Sequence, residues 1–257
     1  MKVSVITINY NSGNDFDKTL NSVISQTYTD IEYIVVDGGS SDKSWETINR
    51  NRDKIDKLSV GQDSGIADAF NIGIKLSSGK AVIFLNAGDE FFSKHTIDEI
   101  CKEWDSEKFE WICGSGLIIY PDKRTVQRII QYQQPQNLIN RGCKIMHPSV
   151  MILKSTLEKF GGYDTAYKSA MDFEMWVKLI ASGINPQVSK KLYSKFYIGG
   201  ISSGYSGFNE EVRALRKYNL LKTKNYIFMS LRKLAAKNGK FIMRMPFINQ
   251  LKETLFR

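Results

Sequence analysis

Four aspartates occupy positions from which a carboxylate can act on a bound molecule. Asp37, Asp63 and Asp89 each follow shortly after a strand-like run, and Asp172 stands at the start of a helical run. A carboxylate can accept hydrogen bonds, ligate a cation or take up the proton of a hydroxyl group. One aspartate at a strand end is usually a turn residue. Three of them after successive strands favour a ligand-binding site.

The first half of the chain alternates strand-like and helix-like segments. Four short runs rich in β-branched residues predict strands over Val3–Ile8, Ile31–Val36, Leu58–Val60 and Ala81–Leu85. Apolar residues between them recur at helical spacing, and Ser41 is the predicted cap of the second helix. This alternation predicts an α/β fold, with a Rossmann-like, mainly parallel sheet flanked by helices. Ligands of such sheets bind at the carboxyl ends of the strands, where the three aspartates would converge.

The second half is less regular. Trp111–Tyr120 predicts one long strand or a strand pair, and Met146–Leu153 predicts another strand. The glycines and serines of Gly199–Gly204 predict a flexible loop. We find no internal repeat and no low-complexity linker. The predicted division is therefore one domain over residues 1–205 and a basic, amphipathic, helical tail over residues 206–257.

The positive charge of the chain is concentrated near its C-terminus. The sequence contains 36 Lys and Arg residues against 27 Asp and Glu residues. Residues 213–257 contain 12 of the basic residues and a single acid, Glu253, whereas residues 1–212 contain 24 basic and 26 acidic residues. The basic character belongs to the tail, and the body of the chain is close to neutral.

Composition and cysteine usage exclude several classes of protein. Hydrophobic residues at 42% and charged residues at 25% are ordinary values that exclude a disordered or collagen-like chain. Three cysteines without a C-x-x-C pair argue against a disulfide framework, and two histidines exclude a multi-histidine metal site. The apolar run at the N-terminus is too short for a signal peptide, and no window approaches the roughly 18 uncharged apolar residues of a spanning helix. We therefore expect a cytoplasmic protein, either soluble or peripheral on the inner face of the cytoplasmic membrane.

Four motifs in a fixed order carry a resemblance to a known family. They are Val3–Asn11 with Tyr33–Asp42, then Asp63–Gly73, Ser78–Asp89 and Ala170–Trp176. Together they resemble the inverting family 2 glycosyltransferases of the GT-A fold, which build bacterial capsule, O-antigen or exopolysaccharide. The resemblance covers roughly residues 1–205. It implies transfer of a hexose or N-acetylhexosamine from a nucleotide-sugar donor, with a UDP-sugar favoured, to a hydroxyl of a glycan or lipid-linked acceptor.

The resemblance implies a divalent cation at Asp89, which matches the last acid of the family's Asp-x-Asp-type motif. Departure of the diphosphate builds negative charge, which Mg²⁺ or Mn²⁺ held by a carboxylate can stabilise. Asn86 and Gly88 stand where the common Asp-Ala-Asp-Asp form has acids, so the cation would depend on the diphosphate for further ligands. Asn86 is itself a predicted donor-binding residue. The alternative is that Asn86–Asp89 is only a turn.

The resemblance also assigns two acids to the donor nucleotide. Asp37 is implied to accept a hydrogen bond from the imide N–H of a pyrimidine base, for which an acceptor-only carboxylate is suited. Asp63 is implied to be a second acid of the nucleotide pocket. Backbone N–H groups of the helix after Gly65 would favour the diphosphate.

Asp172 is the general base that the resemblance implies. An acceptor hydroxyl must lose its proton as it attacks the anomeric carbon, and a positioned carboxylate can take that proton. The alternative is that Asp172 only caps the following helix. Glu174 is predicted to lie on the surface of that helix. His147 is predicted more often to be a hydrogen-bonded structural residue than to contact a substrate.

The tail has two interpretations that amphipathicity cannot separate. Basic amphipathic helices can lie on an anionic membrane surface, which would suit a lipid-linked acceptor. The same helices can instead pack on the catalytic domain, with their charges in solvent.

Two other classes of protein remain open. The basic tail would suit a nucleic-acid-binding protein, but an aromatic RNA-binding signature and zinc-finger spacing are both missing from the sequence, and the favoured interpretation has no nucleic-acid partner. A sugar-nucleotide pyrophosphorylase would share the sheet, but that class has a Gly-rich, Arg-containing phosphate loop after its first strand. This sequence has Asn9–Gly13 there instead.

Overall fold

Nine strands form one sheet in the part of the chain that the structure, a computed structural model, describes: residues 1–130, 134–140, 142–198 and 207–237. The strands are β1 (Val3–Asn9), β2 (Ile31–Asp37), β3 (Lys57–Val60), β4 (Ala81–Phe84), β5 (Glu90–Phe91), β6 (Trp111–Ile119), β7 (Thr125–Arg128), β8 (Val150–Leu153) and β9 (Gln187–Tyr197). The helices are α1 (Asp15–Ile24), α2 (Lys43–Arg50), α3 (Ile66–Leu76), α4 (Thr96–Glu103), α5 (Lys154–Lys159), α6 (Met171–Ala181), α7 (Phe208–Lys217) and α8 (Thr223–Lys237).

The strand order is β3-β2-β1-β4-β8-β6-β9-β5, with β7 beside β6. The first four strands along the chain are parallel, β8 runs against both β4 and β6, and β9 is parallel to β6. Six of the nine strands therefore point the same way, which confirms the predicted mainly parallel α/β sheet. Asn9 is paired with Asp37, and Asp37 with Val60, so β1, β2 and β3 end in one row. This row marks the carboxyl edge of the sheet.

Apolar side chains cover both faces of the sheet because successive residues of a strand point to opposite sides. In β2, Ile34 and Val36 join one buried cluster, whereas Tyr33 and Val35 join the other. Helices α3, α5 and α6 pack on the first cluster, and α1, α2 and α4 pack on the second. Parallel strands that are buried on both faces have nearly continuous apolar sequences. The apolar runs in the first half of the chain could therefore be recognised as strands.

The structure corrects two local predictions. Ser41 is not the cap of α2, because the side chain of Asp42 accepts the hydrogen bond from the Ser44 backbone N–H at 3.0 Å. The run Met146–Leu153 is only partly a strand. It begins with a 3₁₀ turn at His147–Ser149, whose proline removes a backbone donor, and β8 follows.

Helix α7 packs into the same core as α3 and α6. Val212, Ala214 and Leu215 of α7 are buried there, and Met229 of α8 joins them. The opposite side of α8 exposes three apolar residues, here named the α8 stripe: Ile227, Leu231 and Leu234. Packing on the domain is therefore the arrangement of α7, whereas α8 has one packed side and one exposed side.

Two predicted features lie outside the described residues. They are the loop Gly199–Gly204 and tail residues 238–257. Among the helices that are described, we find none with the length and apolar character needed to cross a membrane.

Candidate functional site

Asp37 closes the loop that follows β2. Its Oδ1 accepts hydrogen bonds from the backbone N–H groups of Gly39 at 3.0 Å and Ser40 at 2.7 Å, and its Oδ2 accepts one from the Asn9 amide at 2.6 Å. The same amide donates to the hydroxyls of Ser40 at 3.1 Å and Ser44 at 2.9 Å. The Asp37 carboxylate is fully buried. It therefore ties the ends of β1 and β2 to the loop before α2.

An aromatic ring and a carboxylate lie next to this loop. The Tyr10 side chain is 68% exposed, and Asp63 is partly exposed. A Cβ on Gly38 would lie 3.2 Å from both Asp63 Oδ2 and Tyr10 Cδ2, so the missing side chain makes room for both. Asp63 Oδ1 accepts a hydrogen bond from the Gly65 N–H at 2.8 Å. Tyr10 is missing from the sequence prediction, although its position directly after β1 was a signal for it.

The turn after β4 is braced by Thr19 of α1. The Asp89 N–H donates to the Asn86 carbonyl at 2.9 Å, and the Thr19 hydroxyl donates to the Asp89 carbonyl at 2.7 Å. Gly88 has φ +103°, in the region that favours glycine, and its N–H donates to Thr19 Oγ1 at 2.9 Å. The segment Asn86–Asp89 is thus a turn whose backbone is held in place by a neighbouring helix.

Two acceptor groups of this turn have no donor in the described part of the chain. Oδ1 of Asn86 is buried without a hydrogen-bond partner. The Asp89 side chain is 6% exposed, no described residue donates to its carboxylate, and burial raises its pKa well above the usual range. Buried acceptors without partners are costly, and amide and carboxylate oxygens are ligands of hard divalent cations.

This donor set fits Mg²⁺ or Mn²⁺, but only as part of a larger ligand set. Within the described ranges, no group of three or more His, Cys, Asp or Glu side chains could hold a metal ion. A cation at Asn86 and Asp89 would need further oxygen ligands from a bound molecule, as the sequence predicted.

Asp172 is the second residue of α6, so the alternative that it caps this helix is wrong. The N-cap position is occupied by Ala170, and Asp172 Oδ1 accepts a hydrogen bond from the Phe173 N–H at 2.7 Å. Burial raises the pKa of Asp172 to about 6; the Phe173 N–H opposes this rise and the negative charge of Glu211 adds to it. A carboxylate with such a pKa is mostly ionised at pH 7 and can take up a proton there.

An aromatic cluster packs around the ring at the end of β4. The Phe84 ring, from the last residue of β4, packs on Tyr163 at 5.4 Å and on His147 at 5.1 Å, and Phe70 packs on both. His147 Nε2 and the Tyr163 hydroxyl are hydrogen-bonded at 2.8 Å, in agreement with a structural histidine. Burial lowers the pKa of His147 to about 3. Burial and the charge of Asp172 together raise the pKa of Tyr163.

Glu174 is fully buried, so its predicted position on the helix surface is wrong. Its Oε1 accepts hydrogen bonds from Lys217 Nζ at 2.9 Å and the Tyr218 hydroxyl at 2.6 Å, and Lys178 Nζ lies 3.4 Å from Oε2. Helix α7 covers this side of α6. The spacing of residues within α6 could not show that another helix would do so.

The predicted site residues fall into three groups. Asp37 and Asp63 flank Gly38 at the ends of β2 and β3, and Asn86 and Asp89 share the turn after β4. Asp172 lies apart from these four, in the first turn of α6.

Comparison with known sequences gives one family. The family model described as "Glycosyl transferase family 2" matches residues 4–163. The chain is 25% identical over 226 residues to the Escherichia coli "UDP-Glc:alpha-D-GlcNAc-diphosphoundecaprenol beta-1,3-glucosyltransferase WfaP", with 86% of each protein covered. It is 30% identical over 191 residues to "Uncharacterized glycosyltransferase RP339" of Rickettsia prowazekii (strain Madrid E), with 68% of this chain and 58% of RP339 covered.

Solved structures share the fold. S. aureus TarS 1-349 in complex with UDP-GlcNAc matches with a TM-score of 0.72 at 18% identity, over 97% of this chain and 78% of the TarS chain. The mannosyltransferase PcManGT from Pyrobaculum calidifontis, in complex with GDP-Man and Mn²⁺, matches with a TM-score of 0.61 at 16% identity, over 98% of this chain and 79% of its own. These likenesses confirm the predicted GT-A fold, and at these identities they concern the fold alone.

Proposed function

We propose, because the chain belongs to glycosyl transferase family 2, that it transfers a sugar from a UDP-sugar to a hydroxyl of a lipid-linked glycan, with inversion at the anomeric carbon. Membership of this family makes the chain a glycosyltransferase, so the pyrophosphorylase alternative is wrong. The observation that carries the proposal is that, among the described residues, nothing donates to Asn86 Oδ1 or to the buried Asp89 carboxylate. They lie after β4, at the edge where ligands of parallel sheets bind.

The donor base would bind beside Tyr10, Gly38 and Asp63. An aromatic face stacks on a nucleobase, and a carboxylate accepts from the imide N–H of uracil. We assign this contact to Asp63 and give Asp37 a supporting role, because the buried Asp37 oxygens already accept three hydrogen bonds from Asn9 and the loop. TarS in complex with UDP-GlcNAc and WfaP, named for UDP-Glc, favour a UDP-hexose or UDP-N-acetylhexosamine.

Asn86 and Asp89 would hold Mg²⁺ or Mn²⁺ next to the diphosphate of the donor. When bound, the cation supplies positive charge that offsets the charge developing on the leaving diphosphate. The N-terminus of α3 follows Gly65, whose position as N-cap adds no side-chain hydrogen bond, and the N-terminus of a helix favours phosphate. The PcManGT complex with Mn²⁺ supports the choice of a divalent cation.

Asp172 would act on the acceptor. Its carboxylate takes the proton of the acceptor hydroxyl while the hydroxyl oxygen forms the new bond to the anomeric carbon. The bond between that carbon and the diphosphate oxygen breaks, and its electron pair leaves with the diphosphate. A single displacement of this kind inverts the configuration of the sugar. With a pKa of about 6, Asp172 is ionised at pH 7 and still basic enough to accept the proton.

The donor assignment is tested with UDP-Glc, UDP-GlcNAc, UDP-Gal and GDP-Man, each with Mn²⁺ or with EDTA. We expect UDP-sugars to raise the Tm and to be hydrolysed, GDP-Man to do neither, and EDTA to abolish hydrolysis. Asp63→Asn should weaken UDP binding, whereas the exposed Asp53→Asn should not. Equal stabilisation by GDP-Man, or hydrolysis in EDTA at the full rate, would overturn this assignment.

The α8 stripe and the basic tail would hold the enzyme at the membrane surface that carries the acceptor. The stripe lies on the opposite side of α8 from Asn225 and Met229, which are buried against the domain. Residues 213–257 add 12 basic side chains and one acid, so this surface suits anionic lipid rather than neutral lipid. The acceptor in the name of WfaP is linked to diphosphoundecaprenol, which supports a lipid-linked acceptor here.

Vesicle flotation tests this surface. The combined Ile227→Ser, Leu231→Ser and Leu234→Ser variant should lose binding to vesicles that contain phosphatidylglycerol and keep donor hydrolysis. Val126→Ser on β7 removes an equally exposed apolar side chain and should leave binding unchanged. Equal binding of the triple variant and the wild type would contradict the proposal, and salt-sensitive binding of RNA in place of vesicles would favour the nucleic-acid alternative.

A further inference from the structure

The first turn of α7 carries an acid that binds the chain segment before α6. Glu210 Oε1 accepts a hydrogen bond from the Lys168 N–H at 2.9 Å, and Oε2 accepts from the N–H groups of Ser169 and Ala170, both at 2.9 Å. The Ser169 hydroxyl also donates to Oε2, at 3.2 Å. One carboxylate therefore fixes three consecutive residues of the backbone.

These three residues lead directly to Asp172. Ala170 is the N-cap residue of α6, and its methyl side chain cannot accept a capping hydrogen bond from the first turn. The position of the first turn of α6 therefore depends on how the preceding segment is held. Asp172 is two residues beyond Ala170, so the position of its carboxylate is set both by the buried Met171 and Phe173 on either side of it and by this preceding segment.

The contact joins the ionised carboxylate of Glu210 to backbone N–H groups at hydrogen-bond distance. Burial opposes ionisation of Glu210, but the N–H groups of Lys168, Ser169 and Ala170 lower its pKa, so it is a carboxylate at neutral pH. Hydrogen bonds to an ionised acceptor are roughly twice as strong as neutral ones. At the start of α7, a Cβ on Gly207 would lie 3.6 Å from Ser169 Oγ and 3.8 Å from the Ala170 Cβ, so the two segments run side by side with room for no more than a small side chain between them.

We propose that Glu210 is a positioning residue for sugar transfer, which holds the segment 168–170 and thereby sets the position of the Asp172 carboxylate. The inference rests on the proposed role of Asp172 as general base. It extends the functional part of the chain to α7, beyond the residues 4–163 that the family model matches. Glu210 itself contacts no reacting atom in this assignment.

The test compares Glu210→Ala, which removes all four contacts, with Glu210→Gln, which keeps one acceptor oxygen. We expect kcat for transfer to fall about 10- to 100-fold in Glu210→Ala and less in Glu210→Gln, because a misplacement of about 1 Å can cost on the order of 10²-fold. The Kd for UDP should stay within about twofold of the wild-type value. Glu158→Gln removes an exposed carboxylate that pairs with Lys154 and should leave kcat unchanged.

A double-mutant cycle with Asp172→Asn separates positioning from a general loss of stability. If Glu210 acts through Asp172, Glu210→Ala causes no further loss of kcat in the Asp172→Asn background. The inference would be overturned if the loss of kcat in the double variant equalled the product of the losses in the two single variants. A wild-type kcat in folded Glu210→Ala or Glu210→Gln would overturn it as well. A wild-type rate in Asp172→Asn alone would instead overturn the proposed function, and the inference with it. If Glu210→Ala does not fold, the same cycle is measured with Glu210→Gln.

Discussion

The two sides of the candidate site are held together in different ways. In the loop after β2, two of the three contacts that fix Asp37 are short in sequence: its Oδ1 accepts from the backbone N–H groups of Gly39 and Ser40, two and three residues later. At the start of α6 the fixing contacts are long: Glu210 binds the backbone of Ser169, which is 41 residues away. The first kind of contact is visible in a short motif. The second kind exists only once α7 has packed against α6.

The carboxylates of the site also differ in what binds them. Asp37 is buried with three hydrogen-bond donors, so its charge is used by the protein itself. Asp89 is buried with no donor from a described residue, and Asp172 has one, so burial raises the pKa of both. A buried carboxylate with a full set of donors stabilises a loop, whereas one with few donors is available to a cation or to a proton.

Asp172→Asn should have the largest effect of any single substitution. It keeps the size and the Phe173 contact but removes the basicity, and loss of a general base costs about 10²- to 10⁴-fold in rate. The Kd for UDP should change by no more than a few-fold, because Asp172 is assigned to the acceptor. The measurement pairs transfer rates with calorimetric affinity for UDP, and Asp53→Asn is the exposed control. Transfer at the wild-type rate would show that Asp172 is not the general base.

Asp89→Asn should lower the metal-dependent transfer rate by about 10²- to 10³-fold, the size of effect seen when one electrostatic stabiliser of a transition state is lost. It should also raise the Tm of the metal-free protein at neutral pH. The pKa of Asp89 is raised by folding, so its ionisation opposes folding as the pH rises above the unfolded value of about 4. The gain in Tm should disappear below that pH. A lower Tm at neutral pH would show that the Asp89 carboxylate has a stabilising partner.

The sequence predicted β2 and the loop after it well because this strand and the Asp37 contacts with Gly39 and Ser40 are encoded in adjacent residues. The run Ile31–Val36 indicated a strand, and the following Asp37 was correctly placed at the edge of the sheet. Within the same region the errors are small. The cap of α2 is Asp42 instead of Ser41, one residue away, because both are good caps and only the backbone angles distinguish them.

The surroundings of α6 were predicted less well, for a physical reason. Glu174 follows Asp172 in the first turn of a helix, where an exposed acid is the ordinary expectation. Its burial requires Lys217 and Tyr218 to reach it from α7, 43 and 44 residues away. No periodicity within α6 contains that information. The role of Glu210 could not be predicted from the sequence for the same reason.

The pH dependence of transfer sharpens the assignment of Asp172. Because burial raises its pKa to about 6, the base is ionised above that pH and protonated below it. We expect kcat to be constant from pH 7 to 8 and to fall about tenfold for each pH unit below 6. Asp172→Asn should remove this limb from the profile of the residual activity. A limb that persists in the variant would belong to another group.

Asp37→Asn should have the smallest of these effects, and it tests whether Asp37 supports the pocket or touches the base. The new amide would place an N–H against the amide of Asn9 or against the N–H groups of Gly39 and Ser40. A buried donor without a partner costs about 1–3 kcal/mol. We expect a lower Tm. We also expect about 3- to 10-fold weaker UDP binding, because the loop that Asp37 holds forms part of the proposed base pocket.

The combined Asn9→Asp and Asp37→Asn variant decides between the two roles. It exchanges carboxylate and amide across the 2.6 Å contact, so that contact again joins a donor and an acceptor, and the carbonyl oxygen of the amide introduced on β2 can still accept from the loop. The hydroxyls of Ser40 and Ser44 lose the amide donor of Asn9 in this variant. If Asp37 supports the loop, the exchange should restore most of the Tm and most of the affinity for UDP. If Asp37 itself accepts from the base, the Tm recovers but the affinity stays low, because the carboxylate now lies on β1. Differential scanning fluorimetry and calorimetry on the two single variants and the double variant distinguish these results.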